Sequence, residues 1–159
     1  RAGTKRTAGP TLHRSHPRWR IHMHIRQISL TPDPYEPFLL SQAHRVGDLV
    51  FVSGQAGIDH DGRIVGVGEF ETQARQAFEN LDRVLRAGGS SLANVVKVTI
   101  FLTDMTHFDQ VVKLRRQWFT PPYPADTIVE VTSLYSPEAM FEIEAVAVVD
   151  EAAQWLNRT

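Results

Sequence analysis

The sequence predicts an α+β domain, a mixed β-sheet with two helices packed on one of its faces. Three observations predict it. The spacing of apolar residues switches from two to three-and-four and back again, in the order strands, helix, strand, helix, strands. The chain has 159 residues, room for one compact domain. The last strand is so continuously apolar that it belongs in the middle of a sheet. The longest apolar runs, Leu49 to Val52 and Ala145 to Val149, fall far short of the roughly 18 residues that span a bilayer. Cysteine is absent, which excludes disulfides, thiolate metal sites and a thiol nucleophile.

His24 to Leu30, with Ile25 and Ile28, predicts a first strand ended by the turn-forming run Thr31-Pro32-Asp33-Pro34. Gln42 to Val46 and Leu49 to Ser53 read as two strands joined across Gly47-Asp48. Asp59-His60-Asp61-Gly62 marks another tight turn, before a short strand at Arg63 to Val65. From Glu69 to Ala87 the residues Phe70, Ala74, Ala77, Phe78, Leu81, Val84 and Leu85 recur on one helical face. Glu69 and Glu71 suit the positive end of that helix, and Gly88-Gly89 supplies a left-handed stop. Val95 to Leu102 alternates Val96, Val98, Ile100 and Leu102 against Lys97 and Thr99, as a strand under a helix does.

Thr106 to Asp109 resembles a capping arrangement, and Phe108, Val111, Val112, the Arg115 stem and Trp118 or Phe119 continue a second amphipathic helix. Pro121 and Pro122 end it. Thr127 to Val131 and Phe141 to Val149 complete the strands, the latter central. With Val95, Phe101, Val129, Val131, Val146 and Val148 on the face away from the helices, that face cannot stay wet, and a second subunit is expected to cover it.

Charge divides the chain. Residues 1–30 carry seven basic residues and no acid, whereas residues 31–159 sum to −8. A body of that sign does not suit a nucleic-acid groove, and neither a nucleic-acid nor a membrane partner is expected. Residues 1–22 read as a flexible basic arm. It has three readings: a native phosphate-binding tail, a transit-like leader, or sequence ahead of a true start at Met23. The last is preferred because strand patterning begins just there. The domain then covers 23–150, with 151–159 as a tail. No apolar segment of the secretory type follows the basic residues, so the expected compartment is the cytoplasm. His22 and His24 have a metal-ligand spacing, but with no carboxylate nearby surface histidines are the simpler reading. The body contains no phosphate cradle, HExxH, CxxC or Gly-x-Ser-x-Gly motif, and no metal or cofactor is expected.

A family resemblance rests on ordered motifs: Ser41-Gln42-Ala43, Leu49 to Gln55, Gln76 to Leu81, Val96 to Met105, Pro124-Ala125, Val129-Glu130-Val131 and Phe141 to Ala145. From about Ser41 to Val149 the chain resembles the YjgF/RidA family of enamine/imine deaminases, also labelled endoribonuclease L-PSP-like. The resemblance implies a chorismate-mutase-like fold, a homotrimer around a central β-barrel and clefts between subunits. It also implies a small-molecule substrate, with Glu142, on the terminal strand, holding the attacking water.

Elsewhere the sequence departs from the family's pocket. The arginine that clamps a substrate carboxylate after Pro-Ala is replaced by Asp126, the tyrosine before Ser-Gln-Ala by Leu40, the asparagine-type residue by Thr106, and the small polar or Cys residue by Ile128. Losing such a charge-assisted fork costs about 2–5 kcal/mol, or roughly 30-fold to several-thousand-fold in recognition of a 2-imino acid. Asp126 is expected to face a cationic amine instead, sharing the cleft with Glu142; its structural alternative is a turn cap pointing into water. Gly54, bordering the pocket, serves close approach rather than catalysis. Glu144 shares a face with Glu142 and is expected to pair with Lys97 or Arg116. His44, His107 and Tyr123 are candidates for the cleft edge. The leading function is an imine or enamine deaminase with an altered substrate. The alternatives are an aminomuconate-type deaminase and a catalytically silent trimer that binds a metabolite or a partner; the −8 body gives ribonuclease activity little support.

Overall fold

A computed structural model describes residues 24–152, so the arm over 1–22 and most of the 151–159 tail lie outside the described residues. Eight elements follow in chain order: β1 (Ile25–Ile28), β2 (Ala43–Val46), β3 (Leu49–Ala56), α1 (Phe70–Ala87), β4 (Val95–Leu102), α2 (Phe108–Trp118), β5 (Ala125–Glu130) and β6 (Phe141–Val148). They form one α+β unit, a six-stranded mixed sheet in the order β1-β2-β3-β6-β4-β5. All neighbours are antiparallel except β4 and β5, which run parallel across the α2 crossover. The terminal strand is central, as its apolar run required.

Both helices lie on one face. There α1 buries Phe70, Ala74, Ala77, Phe78, Leu81, Val84 and Leu85, the residues its sequence period selects. Phe78 is the hub: its ring stacks on Trp118 (centroids 5.6 Å, 6° apart) and meets the rings of Phe119 at 5.6 Å and Phe141 at 5.8 Å. Burial of one such side chain stabilises the fold by roughly 1.5–3 kcal/mol. The left-handed stop is supplied by Gly89 (φ +81°), while Gly88 stays helical.

Several details differ from the sequence reading. Arg63 to Val65 is not a strand; only an isolated bridge, Ile58 to Ile64, forms there. Thr106 does not cap α2. A 3₁₀ turn over Met105–His107 intervenes, and the Asp104 carboxylate accepts from the Thr106 N–H (2.8 Å). On α2 the buried residues are Val111 and Leu114, whereas Phe108 and Val112 are exposed, with the Arg115 guanidinium 6.0 Å from the Phe108 ring centroid. Val95 points into the core, because the β4–β6 register shifts between Val95 and Lys97 and puts Val96 outside instead. The uncovered face accordingly presents Leu49, Phe51 and Val96 as exposed residues beside partly buried Phe101, Val129, Val146 and Val148.

Candidate active site

Glu142 is the second residue of β6, and the two-residue period turns it to the uncovered face, level with Phe101 on β4 and Ala56 on β3. β3 is irregular between Val52 and Gln55, and this bulge brings Gly54 under the glutamate. A Cβ at Gly54 would lie 1.8 Å from Glu142 Oε1 and 2.7 Å from its Cδ, so only glycine leaves the carboxylate its place.

Buried amides hold the two strands in this relation. Asn80, on α1, donates from Nδ2 to the carbonyls of Ala56 (3.0 Å) and Ile58 (2.9 Å), fixing the end of β3. Gln73, two turns earlier on the buried face, donates to Glu138 O and accepts from the Met140 N–H, both at 2.9 Å, fixing the approach to β6. From the loop after β1, the Tyr35 hydroxyl donates to Gly54 O (2.7 Å).

Around the glutamate lies a cleft of about 500 Å³ lined by Pro34, Tyr35, Phe38, Leu40, Ser53, Gly54, Ala56, Ile58, Gly62, Tyr135, Glu142 and Glu144. Burial, and secondarily the Glu144 charge, push the Glu142 carboxyl above the ordinary glutamate range. Burial and the Glu142 charge likewise push the phenols of Tyr35 and Tyr135 up. The cleft is therefore electronegative, and its central carboxyl holds a proton more readily than a free one.

Of the residues singled out from sequence, Leu40, Gly54 and Glu142 meet here, with Glu144 beside them. Asp126 and Tyr123 do not. They line a separate hollow of about 330 Å³ with Val112, Arg115, Arg116, Phe119 and Pro124. Asp126 is level with Val98, which faces the helices, and so lies on the other side of the sheet from Glu142 within one subunit. Its Oδ2 is 2.6 Å from Arg115 Nε, a contact made by charge rather than by an aligned N–H bond. Burial raises the Asp126 carboxyl, and Arg115 and then Lys97 partly offset that rise. The charge is thus engaged by Arg115 and faces this hollow rather than the Glu142 cleft. Ile128 packs against the core, and Thr106 is exposed in the turn before α2.

Glu144 makes no ion pair with Lys97 or Arg116; Lys97 Nζ donates to Thr127 Oγ1 (3.1 Å) and to Val98 O. His107 stacks on Phe70 with centroids 4.1 Å apart, a packing role, and His44 lies on the uncovered face near Phe51 and Glu144. Among the described residues no group of histidines and carboxylates is arranged to hold a metal, and no helix is long and apolar enough to cross a membrane.

Sequence reasoning missed Tyr35, Phe38, Ser53 and Tyr135 in the cleft and Arg115 beside Asp126. Ser53 lies inside the Leu49 to Gln55 motif, and Tyr35 and Phe38 lie between the Thr31 to Pro34 turn and Leu40. Tyr135 sits in an irregular loop, and nothing in the local pattern marks it.

A half-buried carboxyl with raised proton affinity, set in a cleft of small-molecule size, defines a site suited to proton transfer. The chain belongs to the YjgF/RidA family, described as Endoribonuclease L-PSP, whose family model matches residues 30–149. It is 38% identical to the human 2-iminobutanoate/2-iminopropanoate deaminase over 128 residues, covering 78% of this chain and 90% of that one. The protein of the same name from Dermatophagoides farinae is 35% identical over 126 residues, covering 79% and 96%. The crystal structure of RidA from an Antarctic Psychrobacter superposes with a TM-score of 0.66 at 35% identity, over 69% of this chain and 88% of the other.

Proposed function

We propose that the protein is a RidA-type deaminase that hydrolyses a small imine or enamine to a carbonyl compound and ammonia. The observation that carries this reading is Glu142, half-buried, with its proton affinity raised and open to the cleft. The imine enters protonated, and the ionised carboxylate takes a proton from water as the water oxygen attacks the C=N carbon. Returning that proton to nitrogen makes ammonia the leaving group; as the tetrahedral carbon collapses the C–N bond breaks, the carboxylate takes the hydroxyl proton, and C=O remains. An enamine first accepts the proton on carbon from the neutral carboxyl and then follows the same course. The relatives named as deaminases support the class. The replacement of the family's clamp arginine by Asp126, itself engaged with Arg115, supports an altered substrate.

The same replacement favours one rival reading, a silent binding protein. Ammonia release from imines generated in situ by an amino-acid oxidase and by an amine oxidase separates the two. Glu142→Gln should slow release by about 100-fold or more. Release that is absent in the wild type, or unchanged in the variant, overturns the proposal.

The apolar uncovered face is, in this reading, closed by two further copies in a chorismate-mutase-like trimer. Light scattering should then give a particle three times the 17.9 kDa chain.

A further inference from the structure

The Glu142 cleft has an unusual lining for a protein whose relatives are named for imino acids. Two carboxylates, Glu142 and Glu144, stand on one strand face, and no lysine, arginine or histidine lines the cleft with them. Among the described residues neither glutamate has a hydrogen-bond or ion-pair partner. Three aromatic residues line the cleft with them: Tyr35, held by its bond to Gly54 O, and Phe38 and Tyr135, packed edge to face with centroids 6.3 Å apart. Arg115, the side chain that pairs with Asp126, is on the opposite side of the sheet. A carboxylate ligand entering this cleft meets two like charges and no cation in the cleft lining; Lys97 and His44 line the adjoining hollow that shares Glu144. A cation meets two opposite charges and the negative faces of aromatic rings.

We propose that the Glu142 cleft selects an organic cation, the protonated imine of a primary amine that carries no carboxylate, with Tyr35, Phe38 and Tyr135 as its cation-binding walls and Glu144 as a second charge beside Glu142. The inference rests on the deaminase reading of the same cleft and names its substrate class. The balanced reaction is R–CH=NH₂⁺ plus water giving R–CHO and NH₄⁺. The upward displacement of the Tyr35 and Tyr135 phenols by the Glu142 charge agrees with the negative field.

Calorimetric titration of the full chain with three probes tests recognition apart from turnover. These are choline, its uncharged isostere 3,3-dimethylbutan-1-ol, and benzoate. Choline should bind at least about 10-fold more tightly than the isostere, with no heat from benzoate. Glu144→Gln should weaken choline about 3- to 10-fold, and Tyr135→Leu about 2- to 5-fold. Turnover supplies the second arm, in which the imine of benzylamine should be hydrolysed faster than 2-iminopropanoate. Benzoate binding as tightly as choline, or choline binding indifferent to Glu144→Gln, overturns the inference. So does faster hydrolysis of 2-iminopropanoate, which leaves the deaminase reading standing. Glu144-dependent choline binding without ammonia release from any imine keeps the cation site and removes the deaminase reading.

Discussion

Gly54→Ala probes the geometry of the glutamate more sharply than removing the glutamate does. The new Cβ starts 1.8 Å from Glu142 Oε1, against the roughly 3.5 Å of ordinary contact, so the carboxylate retreats by about 1.7 Å. A displacement of about 1 Å from productive geometry costs on the order of 100-fold in rate. The clash falls mainly on the far end of a flexible side chain, so the cost in stability stays near 1 kcal/mol, about 2–4 °C in a domain of this size. Ammonia release and thermal melting on the same sample should therefore show a large loss of turnover with little loss of fold. Adding Glu142→Asp, which withdraws the carboxylate by one methylene, should recover part of the lost rate. Wild-type turnover in Gly54→Ala with melting unchanged would refute the claim that the Glu142 position matters.

Further perturbations follow from the charges and the buried amides. Because folding raises the Glu142 carboxyl, its ionised form opposes folding; Glu142→Gln should raise the melting temperature at pH 8, and the gain should vanish as pH falls below the unfolded value near 4.3. Arg115→Ala leaves Asp126 unpaired with a side chain 19% exposed and should cost about 1–2 kcal/mol in urea titrations, much of it restored by adding Asp126→Ala. Asp126→Arg brings two guanidinium groups together on the side of the sheet away from Glu142 and should leave 2-iminopropanoate turnover no higher than in the wild type. Asn80→Ala strips donors from the carbonyls of Ala56 and Ile58 and should cost about 2–4 kcal/mol by thermal or urea unfolding.

Where periodicity is strong, the sequence is readable. The face of α1 and the bounds of β4 follow from spacing alone, because a helix stripe and an alternating strand each repeat enough times to outweigh a local exception. Val95 shows the limit: one extra residue at a bulge inverts the alternation, and no residue type there announces it. Glu142 and Gly54 were legible from ordered motifs on regular strands, although their collision-close approach depends on a second bulge in β3. Asp126 misled for a different reason. The strand expected over Thr127 to Val131 begins earlier, at Ala125, and so takes in Asp126; its partner Arg115 is on a neighbouring helix, and neither the side of the sheet nor an ion pair between elements is written in local spacing. Tyr35 and Tyr135 come from irregular loops, where no period exists to be read.

The central place of β6 has a consequence for how the chain acquires its fold during synthesis. β3 and β4 do not pair with each other; each pairs with β6, the last strand in the described chain. As the polypeptide emerges, the first hairpin and α1 can form, yet β3 and β4 keep an unpaired edge until residues 141–148 have left the ribosome. Closing that gap joins β3 to β6 over more than eighty residues, a non-local step that is slow compared with hairpin or helix formation. Throughout that interval the nascent chain exposes strand edges rich in valine and phenylalanine, which makes it a client for chaperones and leaves chains that terminate before Phe141 prone to aggregate.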